Sequence, residues 1–148
     1  MNTKELPRYF KVNESFATGA QPTADGLTIL KENGYTAIVN ISPVSTPNYL
    51  VDEGKLTEDL EMEYVHYPVD CSNLKERHYN MFSRILKGLE GEKVFIHCGG
   101  NIKSSNLMHM YRVIENKENE KESLLDLLKI QNPEDKWFEY FKSFGMAG

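Results

Sequence analysis

Lys93-Val94-Phe95-Ile96-His97-Cys98-Gly99-Gly100-Asn101-Ile102-Lys103-Ser104-Ser105-Asn106 divides into three parts with different physics. Val94-Phe95-Ile96 is short and apolar on both faces, the pattern of an inner strand in a parallel sheet. Cys98-Gly99-Gly100-Asn101 is a tight loop. Ser104 to Ile114 then carries Leu107, Met110, Tyr111 and Ile114 at helical spacing, so a helix begins with the paired serines and buries an apolar stripe. Strand, loop and helix in this order put Cys98 at the carboxyl end of a central strand, the edge of an open α/β sheet where ligands bind.

The loop residues suit an oxyanion. Gly99 and Gly100 leave no side chain in the way of a bound group, so amides can converge on it, and the amino end of the next helix adds a positive dipole. Asn101 stands where such a loop needs a left-handed residue, which Asn accepts more readily than other non-glycine residues. The same field, with Lys103 nearby, favours the thiolate of Cys98. A thiolate in an amide cradle is a nucleophile directed at phosphate or a similar anion.

Outward from this stretch the chain reads as alternating strands and helices. Tyr9-Phe10-Lys11-Val12 and Ser15-Phe16-Ala17-Thr18 are short strands, and Gly19 breaks the second. Thr23 can cap a helix whose inner face holds Leu27 and Leu30 and which Asn33-Gly34 closes. A buried strand at 35–41 leads into an irregular loop at 42–48 with two prolines, either a substrate-recognition loop or a plain polar connection. An acidic helix at about 49–60, a strand at 63–67 and a loop at 68–74 follow. The helix 75–89 carries Tyr79, Phe82, Ile85, Leu86 and Leu89 on one side, and Gly91 stops it. The strands around Tyr64 and Val94 are therefore expected to be parallel, with their carboxyl ends together. Residues 115–122 are solvated, 123–128 form a helix, and Pro133 begins a last one with Trp137, Tyr140, Phe141 and Phe144 on one face.

His97-Cys98-Gly99-Gly100-Asn101-Ile102-Lys103-Ser104-Ser105 resembles the signature loop of cysteine-dependent tyrosine and dual-specificity phosphatases. In that loop His-Cys opens, an Arg five or six residues later grips the phosphate, and Ser or Thr closes. The chain is most similar to small bacterial phosphatase-like proteins related to the β-lactamase-hydrolase-like family, because Gly19-Ala20-Gln21-Pro22-Thr23 and Ile38-Val39-Asn40-Ile41 also resemble landmarks of that group. Lys103 stands where Arg is expected. The resemblance implies a single phosphatase-like domain over 1–148 with a three-layer α/β/α fold, a mostly parallel sheet of four or five strands and helices on both faces. It also implies hydrolysis of a phosphomonoester through a cysteinyl-phosphate, slowed by Lys103.

The resemblance also implies a role for each residue of the site. Cys98 attacks, the amides of Gly99, Gly100, Asn101, Ile102, Lys103 and Ser104 bind the phosphoryl oxygens, and Ser105 hydrogen-bonds the thiolate and helps release the intermediate. His97 sits beneath the loop. Asp70 protonates the leaving oxygen, with Glu76 as a substitute, a reading favoured over the alternative that Asp70 in Asp-Cys-Ser-Asn only makes an Asx turn. Gln21 either faces the site or serves a capping turn. Cys71 is either an incidental thiol or a partner that traps oxidised Cys98 as a disulfide. Two other functions fit the loop: a module that binds phosphate or another oxyanion without turnover, since one ammonium replaces a planar two-bond grip, and a rhodanese-like sulfurtransferase.

Composition narrows the classes. The 148-residue chain has 40% hydrophobic and 26% charged residues, as a globular protein with one core does. Its net charge of −5 speaks against nucleic-acid binding. The amino-terminal residues lack an apolar run, so neither a secretion signal nor a membrane partner is expected, and the location implied is cytoplasmic. Two cysteines make no disulfide framework. His66, His78 and His109 are read as surface or core residues, and neither metal nor organic cofactor is expected.

Overall fold

A computed structural model describes residues 2–147. Five strands form one sheet in the order β1-β2-β5-β3-β4: β1 (Phe10–Lys11), β2 (Phe16–Gly19), β3 (Ala37–Asn40), β4 (Glu63–His66) and β5 (Val94–His97). The short edge strand β1 is antiparallel to β2, and every other pairing is parallel. β3 and β5 are buried along their whole length, which is why both read as continuous apolar runs.

Alternation along these central strands separates two cores. Ala37, Val39, Ile41, Val94, Ile96 and Cys98 face α3 (Glu76–Gly88), α4 (Ile102–Ile114), α5 (Glu120–Leu128) and α6 (Asp135–Ser143), which contribute Phe82, Leu107, Leu127 and the fully buried Trp137. Ile38 and Phe95 face the other way, toward α1 (Ala24–Glu32) and α2 (Glu53–Asp59), which supply Leu27, Leu30 and Leu56. The result is the three-layer arrangement with helices on both faces that the sequence implies.

Local chemistry explains the element ends. The Thr23 hydroxyl accepts from the amide of Gly26 and starts α1, while Gly34, at φ 90°, ends it. α2 begins at Glu53, four residues later than expected, because the chain turns at Tyr49, which donates to the Thr46 carbonyl, and again at Leu50. α4 begins at Ile102, two residues earlier than expected. Its two serines therefore sit inside the first turn, with their hydroxyls directed inward.

Candidate active site

The loop from Cys98 to Asn101 joins β5 to α4 at the carboxyl edge of the parallel strands. Asn101 adopts the expected left-handed conformation, with φ 63° and ψ 24°. Its fully buried side chain locks that turn from below: Nδ2 donates to the Arg8 carbonyl at 2.9 Å, and Oδ1 accepts from the Ser104 hydroxyl at 2.7 Å. The Gly99 carbonyl accepts from the Gln21 amide at 3.2 Å and from Asn48 Nδ2 at 3.0 Å. Among the described residues, the amides of Gly99 and Gly100 donate to no main-chain carbonyl. A Cβ on Gly99 would lie 2.8 Å from Thr46 Cγ2, so the 42–48 loop rests directly on the cradle.

Cys98 is buried, with Sγ 3.4 Å from the Ser104 hydroxyl. The hydroxyl beside Cys98 is thus that of Ser104, where the resemblance pointed to Ser105. Ser105 instead donates to the Asn101 carbonyl and accepts from Gln131 Nε2 at 2.6 Å. Helix geometry is the reason: with Ile102 as the first helical residue, Ser104 turns toward the end of β5 and Ser105 toward the segment between α5 and α6. Gln131 also donates to the Ile102 carbonyl at 2.9 Å and holds the start of α4 from that side. The Ser104 hydroxyl has one proton. Directed at Asn101 Oδ1 it leaves an oxygen lone pair for a thiol; directed at Sγ it serves a thiolate. Lys103 is half-buried and donates to the Val69 carbonyl at 2.8 Å, which ties the cradle to the 68–74 loop.

Beneath the cradle lies a buried polar group that the sequence did not reveal. His97 Nε2 is 2.6 Å from Glu53 Oε2, and its Nδ1 is 3.2 Å from the Cys98 carbonyl. Both side chains are almost fully buried, at 0% and 1% exposure. Gln21 Nε2 donates to the other Glu53 oxygen, so the Gln21 side chain reaches the site through Glu53, while its main-chain amide holds the Gly99 carbonyl. The Tyr64 hydroxyl accepts from Asn40 Nδ2 at 3.1 Å, and burial first of all, with the nearby Glu53 acting in the same direction, pushes its pKa up. A signal for Glu53 did exist. It stands at helical spacing with Leu50, Leu56 and Leu60, on the apolar side of an acidic segment, and an inward carboxylate needs a partner.

Asp70 is exposed and makes the Asx turn: Oδ1 accepts from the Ser72 hydroxyl at 2.7 Å and from the Ser72 amide at 2.9 Å. These bonds, the hydroxyl's first, hold its pKa below the usual carboxylate value, and the charges of Lys103 and His78 act in the same direction. Glu76 is the first residue of α3. Cys71 lies in a 3-10 turn with Sγ 3.8 Å from Lys136 Nζ. His66, His78 and His109 each bond locally, to the Ser42 carbonyl, the Lys75 amide and the Ser123 hydroxyl. Among the described residues no cluster of three His, Cys, Asp or Glu could hold a metal ion, and no helix is long and apolar enough to cross a membrane.

A family model described as a DSP-PTPase phosphatase fused to NAD+ kinase matches residues 4–140. The chain belongs to this phosphatase family. Solved structures agree on the fold of this DSP-PTPase chain. A candidate phosphatase (DUF442) from Shewanella putrefaciens CN-32 superposes with a TM-score of 0.82 at 22% identity, over 95% of this chain and 90% of that one. Tk-PTP in its active form gives 0.76 at 19%, covering 93% and 95%. A variant of TpbA from P. aeruginosa in complex with phosphotyrosine gives 0.74 at 15%, covering 90% and 82%. No curated protein gave a significant match. In this DSP-PTPase chain Lys103 immediately precedes the Ser104 that lies beside Cys98.

Proposed function

We propose that this chain hydrolyses phosphomonoesters through a cysteinyl-phosphate. The observation that carries the reading is the placement of Cys98 Sγ beside the Ser104 hydroxyl at the mouth of a loop whose glycine amides are uncommitted. The Cys98 thiolate attacks phosphorus, an Sγ–P bond forms, and the P–O bond to the leaving group breaks. The leaving oxygen takes a proton from Asp70. Water then attacks phosphorus, the Asp70 carboxylate accepts its proton, and the Sγ–P bond breaks to release phosphate and thiolate. Developing charge on the phosphoryl oxygens is met by the loop amides and the amino end of α4. Ser104 takes the role of stabilising the departing thiolate.

Asp70 limits the first step at neutral pH. Ser72 stabilises its ionised form, so the proton-loaded state becomes more populated as pH falls or when a phosphate dianion sits opposite. The rate on a substrate with a poor leaving group should therefore rise from pH 8 to pH 5.5, while an aryl phosphate with a good leaving group should show a flatter profile. The decisive experiment is acid quench of the protein mixed with an aryl phosphate, followed by peptide mass spectrometry. Phosphate on Cys98, and loss of both the adduct and turnover in Cys98→Ser, is the expected result; turnover that survives Cys98→Ser overturns the mechanism.

One observation favours the oxyanion-binding module as a second reading. Lys103 Nζ is already engaged by the Val69 carbonyl, and a bound anion must compete for it. Phosphate binding without any turnover in wild type or in Lys103→Arg would establish that module.

A further inference from the structure

Gly99 and Gly100 leave the peptide between them free to turn, because no Cβ restricts either end of it. Neither residue takes a positive φ, and a Cβ at position 100 would meet nothing within 4 Å, so packing at Gly100 does not hold this peptide. Its oxygen is what is held. The Gly99 carbonyl accepts from the main-chain amide of Gln21 at 3.2 Å and from Asn48 Nδ2 at 3.0 Å, which fills both lone pairs. The C=O and N–H of a trans peptide point in opposite directions. Two donors on the oxygen therefore set the direction of the Gly100 N–H, which donates to no main-chain carbonyl among the described residues. Asn48 is exposed, but the loop that carries it is fixed at both ends. The Ser42 amide donates to Asn40 Oδ1 at 2.9 Å, the Ser42 carbonyl lies 2.7 Å from His66 Nε2, and the Tyr49 ring centroid lies 5.7 Å from that of the same histidine.

We propose that Asn48 is a positioning residue: its bond to the Gly99 carbonyl aims and polarises the peptide whose Gly100 N–H binds a phosphoryl oxygen. The inference rests on the reading of this loop as an oxyanion cradle and adds to it a residue from a different loop. A second donor on a carbonyl draws electron density from the N–H at the other end of the same peptide and strengthens it as a donor. A donor already aimed at the anion costs no reorganisation when charge develops on the phosphoryl oxygens. Because the loop ends are fixed, little ordering is needed to bring Asn48 to Gly99. Gln21 supplies the other bond from its main chain, which a side-chain substitution leaves in place. Asn48 is thus the one of the two donors that a side chain controls.

Asn48→Ala removes this donor and keeps the Gln21 bond. In carbon-detected spectra the Gly99 carbonyl should move upfield as the bond is lost. Inorganic phosphate is then titrated into wild type and variant while the Gly100 amide is followed. Phosphate affinity should fall about fivefold, the worth of one net hydrogen bond, and the Gly100 proton should move less far downfield at saturation. The kcat on an aryl phosphate should fall by about the same factor or more. If the Gly99 carbonyl moves while phosphate affinity and the Gly100 shift keep their wild-type values, in a variant with native circular dichroism, the proposal is overturned. A carbonyl that does not move overturns it as well. Should the variant fail to fold, the wild type decides: phosphate should shift the Asn48 side-chain amide together with the Gly100 amide, and a stationary Asn48 signal overturns it. Wild type that binds phosphate without turnover, with affinity still lost in Asn48→Ala, removes the phosphatase and leaves this role standing. Turnover with unchanged affinity and kcat in the variant removes this role and leaves the phosphatase.

Discussion

At the scale of single residues, the proposed mechanism makes position 103 the one that sets the rate. A guanidinium offers two parallel N–H bonds to the equatorial oxygens, whereas Lys103 offers one rotatable ammonium that is already bonded to the Val69 carbonyl. Loss of one strong oxyanion contact costs about 3 kcal/mol, roughly a hundredfold in rate. Lys103→Arg should therefore raise kcat on an aryl phosphate by one to two orders of magnitude, about 10- to 100-fold, with the change in kcat and not in KM. Unchanged kcat alongside tighter phosphate binding would show that residue 103 grips only the ground state. The residue types of this loop were legible in the sequence, and the left-handed Asn101 was inferred correctly from its chemistry. The division of labour between Ser104 and Ser105 was not, because it depends on the first residue of α4, and a shift of one residue in a helix rotates a hydroxyl by about 100°.

At the scale of elements, the site depends on the 42–48 loop lying across the cradle. Thr46 bonds its own hydroxyl to the Pro43 carbonyl at 2.7 Å, and its methyl occupies the space that a side chain at 99 would need. Gly99→Ala forces a 2.8 Å contact that is relieved by the loop lifting away or by Thr46 rotating its side chain and giving up its bond to Pro43, at a cost of about 1–3 kcal/mol. The expected outcome is a lower kcat/KM on an aryl phosphate. Thr46→Ser in the same chain removes the methyl, keeps the hydroxyl, and should restore most of the loss; a double variant as impaired as the single one would place the defect in the Gly99 backbone itself. The sequence located this loop at the correct edge, since parallel strands bring their carboxyl ends together. The contact with Gly99 could not be read, because it joins segments about fifty residues apart and leaves no periodic trace. Glu53 was missed for a related reason: among Asp52, Glu58 and Asp59 it looks like one more solvated charge, and only its phase against Leu50, Leu56 and Leu60 distinguishes it.

At the scale of the whole molecule, the cradle is supported from behind by α5 and α6, whose connecting segment supplies Gln131. What holds that layer to α4 is partly pH-sensitive. His109 on α4 bonds the Ser123 hydroxyl of α5 at 2.7 Å and meets the Phe141 ring of α6 edge-on, while Arg112 one turn later pairs with Glu118 and Asp126. Burial first, then the Arg112 charge, pushes the pKa of His109 down to about 4. A neutral buried histidine of this kind takes up a proton more readily when the chain unfolds. Its contribution is therefore complete above the unfolded value near 6.5 and is lost as pH falls toward 4. The full span corresponds to about 3 kcal/mol, a large share of the stability of a small domain. Asp126, held below its usual value by Arg112 and Lys129 despite its burial, weakens the same junction at still lower pH. His109→Gln can keep a hydrogen bond to Ser123 without a titrating group. Thermal melts from pH 7.5 to 4 should show a shallower fall in Tm for His109→Gln than for wild type, even if the variant melts lower at pH 7.5. Parallel curves would mean that the acid sensitivity of the fold lies in its carboxylates, Asp126 at this junction among them.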